Sequence, residues 1–164
     1  MEQEPNYTDP YLAGLVHRHA DMIMRIAYTY LKSTADAQDI CQEVFLKVVK
    51  HRKTFENAEH EKSWIIRVAV NCCKDALRSP WRRLFSPFGD AMPPIADKQN
   101  QEVVSLVMDL PKKYRIVLHL YYFEGYATAE IAELLQSKEA TVRTRLKRAR
   151  EMLKSNLIGG LANE

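Results

Sequence analysis

Five chain-breaking residues, Pro80, Pro87, Gly89, Pro93 and Pro94, fall between positions 79 and 100, and nothing else in the sequence constrains the fold as much. A stretch so rich in proline, with little apolar period, cannot run through a helix interior or a central strand. It reads as an interdomain linker, leaving one module over 1–78 and a second over 101–164. In a chain of 164 residues, each module holds about 70 residues and must bury its own small core. Hydrophobic residues at 46% and charged residues at 27% supply that core and exclude disorder throughout.

In the first module, apolar residues recur at three- and four-residue steps. Leu12, Leu15, Val16, Ile23, Ile26, Ala27 and Tyr30 predict one buried helix face between Tyr11 and Leu31. Ser33, with Asp36 three residues on, predicts a capped start to a second helix. That helix runs to about Arg52 and buries Ala37, Ile40, Cys41, Val44 and Val48. Residues 53–61 (KTFENAEHE) lack a period and read as a loop. A third helix is expected from Lys62 to Arg78, stopped by Pro80. Ile65 to Val70 alone would also suit a short strand; the polar residues around it favour helix.

The second module opens with an amphipathic stretch over 101–109 and a break at Leu110 and Pro111. The apolar run Tyr114 to Phe123 fits helix and strand equally on propensity. Thr128 is the expected cap of a short helix burying Ile131, Leu134 and Leu135. After a polar turn, Gln136 to Lys138, a last helix runs from Glu139 to Leu157, giving a helix-turn-helix pattern. The fold class is therefore all-α, with two small helical domains.

Charge is spread unevenly over the formal net of +3. Between 62 and 83, six Lys/Arg stand against Asp75; between 138 and 154, seven stand against Glu139 and Glu151. The rest of the chain is acidic. Two basic islands in an acidic background suit a polyanion at two places and a basic protein partner elsewhere. On the last helix, Val142, Leu146, Ala149 and Leu153 form an apolar spine. Arg143, Lys147, Arg150 and Lys154 lie on one flank, with Arg145 and Arg148 on the other. A helix so built packs from behind and meets phosphates on both walls of a major groove. In the third helix, Trp64, Arg67, Asn71, Lys74 and Arg78 make one stripe beside Ile65, Val68, Ala69, Cys72 and Ala76. Cations for the backbone, an amide for a base edge and an aromatic ring for stacking suit single-stranded nucleic acid. The plainer readings are a solvated basic face for the last helix and a core role for Trp64.

Catalysis has little support. There is no glycine-rich phosphate loop, five glycines being present in all, and no recognisable nucleophile and base pair. His17, His19, His51, His60 and His119 are scattered and make no zinc spacing with Cys72 and Cys73. Asp36, Asp39 and Glu43 share a helix face but offer poor octahedral geometry, so a solvated or partner-facing patch is the better reading. No metal, cofactor or small-molecule substrate is expected. Three cysteines, Cys41 among them, give no disulfide framework. The polar start MEQEPNYTDP is unlike a signal peptide and no apolar run spans a bilayer, so a cytoplasmic protein is expected.

Taken in tandem order, these motifs resemble the extracytoplasmic function sigma factors of bacterial RNA polymerase. DAQDICQEVFLKVV (Asp36 to Val49) looks like the family's polymerase-binding helix, and KSWIIRVAVNCCKDALR (Lys62 to Arg78) like its promoter-melting helix. LPKKYRIVLHLYYFEGYATAEIAELL (Leu110 to Leu135), followed by TVRTRLKRAR (Thr141 to Arg150), looks like its reader of the −35 element. The resemblance implies helix for Tyr114 to Phe123. It makes 1–78 region 2 and 101–164 region 4.

It further implies that Asp39, Gln42, Glu43 and Phe45 grip the coiled coil of the largest polymerase subunit. Trp64, Arg67, Asn71, Lys74 and Arg78, with the loop 53–64, would capture an unpaired base of the −10 strand. Arg143, Thr144, Lys147 and Arg148 would face the −35 groove. The implied partners are core RNA polymerase, promoter DNA and an anti-sigma factor, commonly membrane-bound. One departure stands out: Gln136 replaces the usual glycine of the turn, and Lys138 a common capping serine. A left-handed non-glycine residue costs on the order of 1 kcal/mol, so an altered turn or capping by Ser137 is expected. The rival readings are a stand-alone helix-turn-helix regulator and a metal-dependent nuclease using Asp36, Asp39 and Glu43.

Overall fold

A computed structural model describes residues 9–51, 54–79 and 98–162. The chain divides into two compact units, Met1–Asp90 and Ala91–Glu164. Most of the expected linker, 80–97, lies outside the described residues.

The first unit is built on three helices: α1 (Pro10–Leu31), α2 (Thr34–His51) and α3 (Ala58–Arg78). Asp9 caps α1 by accepting from the Tyr11 N–H at 2.9 Å, and Pro10 occupies the first turn, where its missing donor costs nothing. The helix ends at Lys32, which is left-handed at φ 53°. Ser33 then caps α2 as expected, its hydroxyl accepting from the Asp36 N–H at 3.2 Å. All three helices pack on one another and turn aliphatic faces inward: Leu15, Ile23 and Ile26 on α1, Ala37, Ile40 and Val44 on α2, and Ile65, Ile66 and Val70 on α3 are all buried. Each Leu, Ile or Val among them contributes about 1.5–3 kcal/mol on leaving water.

Several details differ from expectation. Val16 is 40% exposed, because it lies one step round the helix from fully buried Leu15. Leu12 and Cys41 are only half-buried. The third helix begins at Ala58, so 58–61 is not loop. Asn57 caps it, accepting from the His60 N–H at 2.8 Å, and Glu59 and Glu61 suit the positive end of the helix dipole. Ile65 to Val70 is helical. The inner stripe of α3 includes Ile66, Val70 and Cys73, whereas Val68 and Ala76 are half-buried.

The second unit contains α4 (Lys98–Met108), α5 (Lys112–Leu118), α6 (Thr128–Leu135) and α7 (Glu139–Ala162). Helix α5 runs on as a π-helical turn over His119–Phe123, so the ambiguous apolar run is helical throughout. It resisted reading because Tyr114 to Leu118 are all buried, which erases any period. Even Arg115 is buried there, Nη1 donating to the Leu110 carbonyl at 2.7 Å. α6 is capped at Ala127 rather than Thr128. Alanine offers no side-chain acceptor; instead the Glu130 carboxylate reaches back and accepts from the Ala127 N–H at 2.8 Å.

Between α6 and α7, Gln136 adopts φ 52°, ψ 49°, and the Ser137 N–H closes the turn on the Ala132 carbonyl at 2.9 Å. The left-handed turn is thus kept without glycine. Ser137 does not take over the cap; its hydroxyl bonds the Lys138 carbonyl at 3.4 Å. Gln136→Gly should relieve the strain and stabilise this unit by about 1 kcal/mol. Chemical unfolding followed by circular dichroism would show it as a raised midpoint, and a lowered midpoint would refute it.

Candidate nucleic-acid interface

In the second unit, α5 and α6 both pack on α7. The spine of α7 is inward as expected: Val142 and Ala149 are fully buried, Leu146 is 2% exposed, and Leu153 is half-buried. Glu139 fastens the two helices of the motif: one oxygen accepts from the Thr128 hydroxyl at 2.9 Å and from Arg143 Nη2 at 2.7 Å. The hydroxyl that sequence assigned to capping therefore bridges to α7. Arg143, Thr144, Lys147 and Arg148 are all exposed on α7. The Thr144 hydroxyl donates to the Ala140 carbonyl at 2.9 Å, leaving its oxygen free to accept. Arg150, on the same flank as Arg143 and Lys147, is diverted: Nε donates to the Tyr122 hydroxyl at 2.6 Å, and the guanidinium lies over the Tyr121 and Tyr122 rings.

In the first unit, Arg67, Asn71 and Arg78 are exposed on α3, while Trp64 and Lys74 are half-buried. Arg67 and Asn71 have no hydrogen bond or ion pair among the described residues. Arg78 stands 3.9 Å from Asp75, with both side chains largely in solvent, a pairing worth little. Trp64 is not a freely outward ring. It packs 5.6 Å from Phe55 and 6.4 Å, edge-on, from His51. Phe55 in turn meets His60 edge-on at 5.5 Å, and the Glu56 N–H donates to His60 Nδ1 at 3.2 Å.

The first turn of α3 is tied to α1. Glu61 Oε1 takes His19 Nε2 at 2.6 Å and Arg18 Nη2 at 3.1 Å. Burial opposes ionisation of Glu61, but the hydrogen bonds and charge of His19 and Arg18 prevail and hold its carboxyl below the usual range. This buttress, which sequence reading missed, fixes the end of α3 next to the aromatic cluster.

On α2, Asp39, Gln42 and Glu43 are exposed, and Phe45 is half-buried. Leu46, 53% exposed, sits between them on the same face and was not singled out from sequence. Glu43 pairs with Lys47 at 3.5 Å. Behind this face, burial and the nearby Glu43 push the Cys72 thiol up to about 11, and burial with Asp21 raises Cys41. Neither thiol is a ready nucleophile.

Residues 15–83 match the family described as sigma-70 region 2, and residues 100–153 match sigma-70 region 4. The extracytoplasmic function (ECF) RNA polymerase sigma factor SigM of Mycobacterium tuberculosis is 30% identical over 152 residues, covering 90% of this chain and 76% of that protein. The chain is an ECF sigma factor. The RNA polymerase sigma factor SigV of Bacillus subtilis is 28% identical, covering 92% of this chain and 93% of its own. At the level of fold, the sigma factor RpoE of Bartonella quintana, crystallised with the anti-sigma factor NepR, aligns with a TM-score of 0.74 at 17% identity. That alignment covers 91% of this chain and 98% of RpoE. CnrH, in complex with the cytosolic domain of CnrY, aligns at 0.64 and 22%, covering 90% and 88%.

As a member of this family, the sigma factor is an alternative initiation factor of bacterial RNA polymerase. Among its described residues, no helix is long and apolar enough to cross a membrane, and no three His, Cys, Asp or Glu side chains gather as a metal site.

Proposed function

We propose that this sigma factor binds core RNA polymerase through the α2 face of Asp39, Gln42, Glu43 and Leu46, flanked by Phe45, and carries the enzyme to promoters by two separate DNA contacts. Arg143, Thr144, Lys147 and Arg148 on α7 meet the −35 duplex. Arg67 and Asn71, with Lys74 and Arg78 beside them and Trp64 at the base of the aromatic cluster, hold the opened −10 strand. Region 2 then corresponds to 1–78 and region 4 to 101–164, joined through 79–100. The chain works in the cytoplasm without cofactor, metal or catalysis of its own. An anti-sigma factor, the kind of partner named in the RpoE structure, restrains it.

One observation carries this reading: each unit presents an exposed cation-bearing helix face backed by its own apolar core. Phosphate contacts position such a helix, and a few side chains read bases. Arg143 is poised for this, since its surface pairing with Glu139 leaves 69% of the side chain exposed and is cheap to exchange.

Reconstitution with core polymerase tests the proposal. The holoenzyme should initiate at promoters selected in vitro, and Arg143→Ala should weaken discrimination of the −35 element by about 1–3 kcal/mol. A chain that ignored core polymerase and bound an operator by itself would instead be a stand-alone regulator of transcription.

A further inference from the structure

The two flanks of α7 are not equivalent. On one, Arg143 is held by Glu139 and Arg150 by Tyr122. The other borders an open hollow, lined by Lys113 and Tyr114 from α5 and by Thr141, Thr144, Arg145 and Arg148 from α7. Three cations and three hydroxyl-bearing side chains face it, and no carboxylate lines it. None of Lys113, Arg145 and Arg148 forms an ion pair among the described residues. The Lys113 ammonium stands 5.0 Å from the centre of the Tyr114 ring, which makes part of the wall. Buried Tyr114 and Val117 on α5, and Val142 and Leu146 on α7, fix the two elements that carry these charges.

Resting on the −35 reading above, we propose that this hollow is a seat for one backbone phosphate of the promoter duplex and that Lys113, outside the recognition helix, is one of its ligands. Three neighbouring cations with no carboxylate in the lining repel one another until an anion arrives, so a phosphodiester oxygen between them relieves repulsion as well as adding attraction. The seat is formed from the flank and a second helix rather than from the outermost ridge of α7, which suits the wall of a groove and not its floor. Lysine, a point charge on a flexible stem, carries no base code. The work is thereby divided: Lys113, Arg145 and Arg148 set register on the backbone, while Arg143, with its planar fork of donors, is left to discriminate bases.

The test uses the full chain and two short fluorescent duplexes, one from a promoter selected by the holoenzyme and one scrambled, titrated with salt by anisotropy. Lys113→Ala and Arg145→Ala should weaken both duplexes by the same factor and make the slope of log affinity against log salt shallower by about 1. Arg143→Ala should instead weaken the promoter duplex more than the scrambled one. Replacing backbone phosphates one at a time with neutral methylphosphonate should reveal one position that weakens the wild type but not Lys113→Ala. An unchanged salt slope in Lys113→Ala, or a loss confined to the promoter duplex, would overturn the seat while leaving the −35 assignment standing. Failure of the wild type to bind either duplex would overturn the −35 assignment, and the seat with it. Lys113 is exposed, so its replacement leaves the core intact; unchanged circular dichroism in Lys113→Gln checks this.

Discussion

Leu146→Ala is expected to unfold most of the second unit and abolish −35-dependent transcription while leaving the first unit folded. Leu146 is 2% exposed on α7, where α5 and α6 both pack. Removing three methyl-sized groups there costs about 2–5 kcal/mol, since a rigid helical core refills only part of the cavity. A unit of about 65 residues has only about 3–10 kcal/mol of stability in total. The loss is therefore comparable to the whole. Circular dichroism should lose a large share of its helical signal, and proteolysis should begin in 101–164. Trp64 on α3 and Trp81 both precede that region, so the fluorescence of Trp64, packed on Phe55, should be unchanged. Leu146→Met, which keeps the volume, should cost less than about 1.5 kcal/mol. A full-length helical signal and an unshifted melting temperature in Leu146→Ala would mean that this residue does not anchor the recognition helix.

What sequence made visible of this architecture depended on whether a residue's partners are near in the chain. The spine Val142, Leu146 and Ala149 was legible because α7 is buried on one side only, so its period survives. The cap at Ser33 was legible for the same local reason. Asn57 was not: its capping role is as local as that of Ser33, but it lies in a polar stretch with no apolar beat to mark where a helix begins. The Tyr114 to Phe123 run was ambiguous because its first five residues are all buried, which removes the period that distinguishes helix from strand.

The candidate site divides in the same way. Arg143, Lys147 and Arg148 could be placed on the flanks of α7 by helical spacing, Thr144 by the family resemblance, and all four are exposed. That Glu139 holds Arg143 and also Thr128, 11 positions away, or that Tyr122 takes Arg150 from 28 positions away, could not. Trp64 shows the limit most clearly. Spacing sets it in line with Arg67 and Asn71, yet Phe55 and His51 claim its ring, so it shapes the surface more than it offers one. Lys113 was not singled out from spacing, and only the packing of α5 on α7 brings it beside Arg145 and Arg148.

The stripe on α3 leads to the second large effect. Asn71→Ala is expected to cut open-complex formation by roughly 5- to 150-fold while leaving assembly with core polymerase unchanged, the factor for losing about 1–3 kcal/mol of base contact. The reasoning starts from exposure: Asn71 carries both donors and acceptors, faces solvent, and has no bond among the described residues to give up when it meets a base. Arg67, one turn away, supplies charge for the backbone, whereas the Asn71 amide offers the paired donor and acceptor that a base edge needs. The buttress of Glu61 with His19 and Arg18 holds the start of α3 in place, so little ordering cost falls on capture. Unpairing a base costs a few kcal/mol, and a contact that exists only in the opened state acts directly on that step. Permanganate reactivity of −10 thymines should therefore fall in Asn71→Ala, and binding of a single-stranded −10 oligonucleotide by the holoenzyme should weaken in parallel. Arg67→Ala should weaken that oligonucleotide and a scrambled one alike. Since neither α2 nor the core of the first unit is touched, native gel assays of binding to core polymerase should match the wild type. Equal permanganate reactivity in wild type and Asn71→Ala would take the unpaired base away from this face of α3.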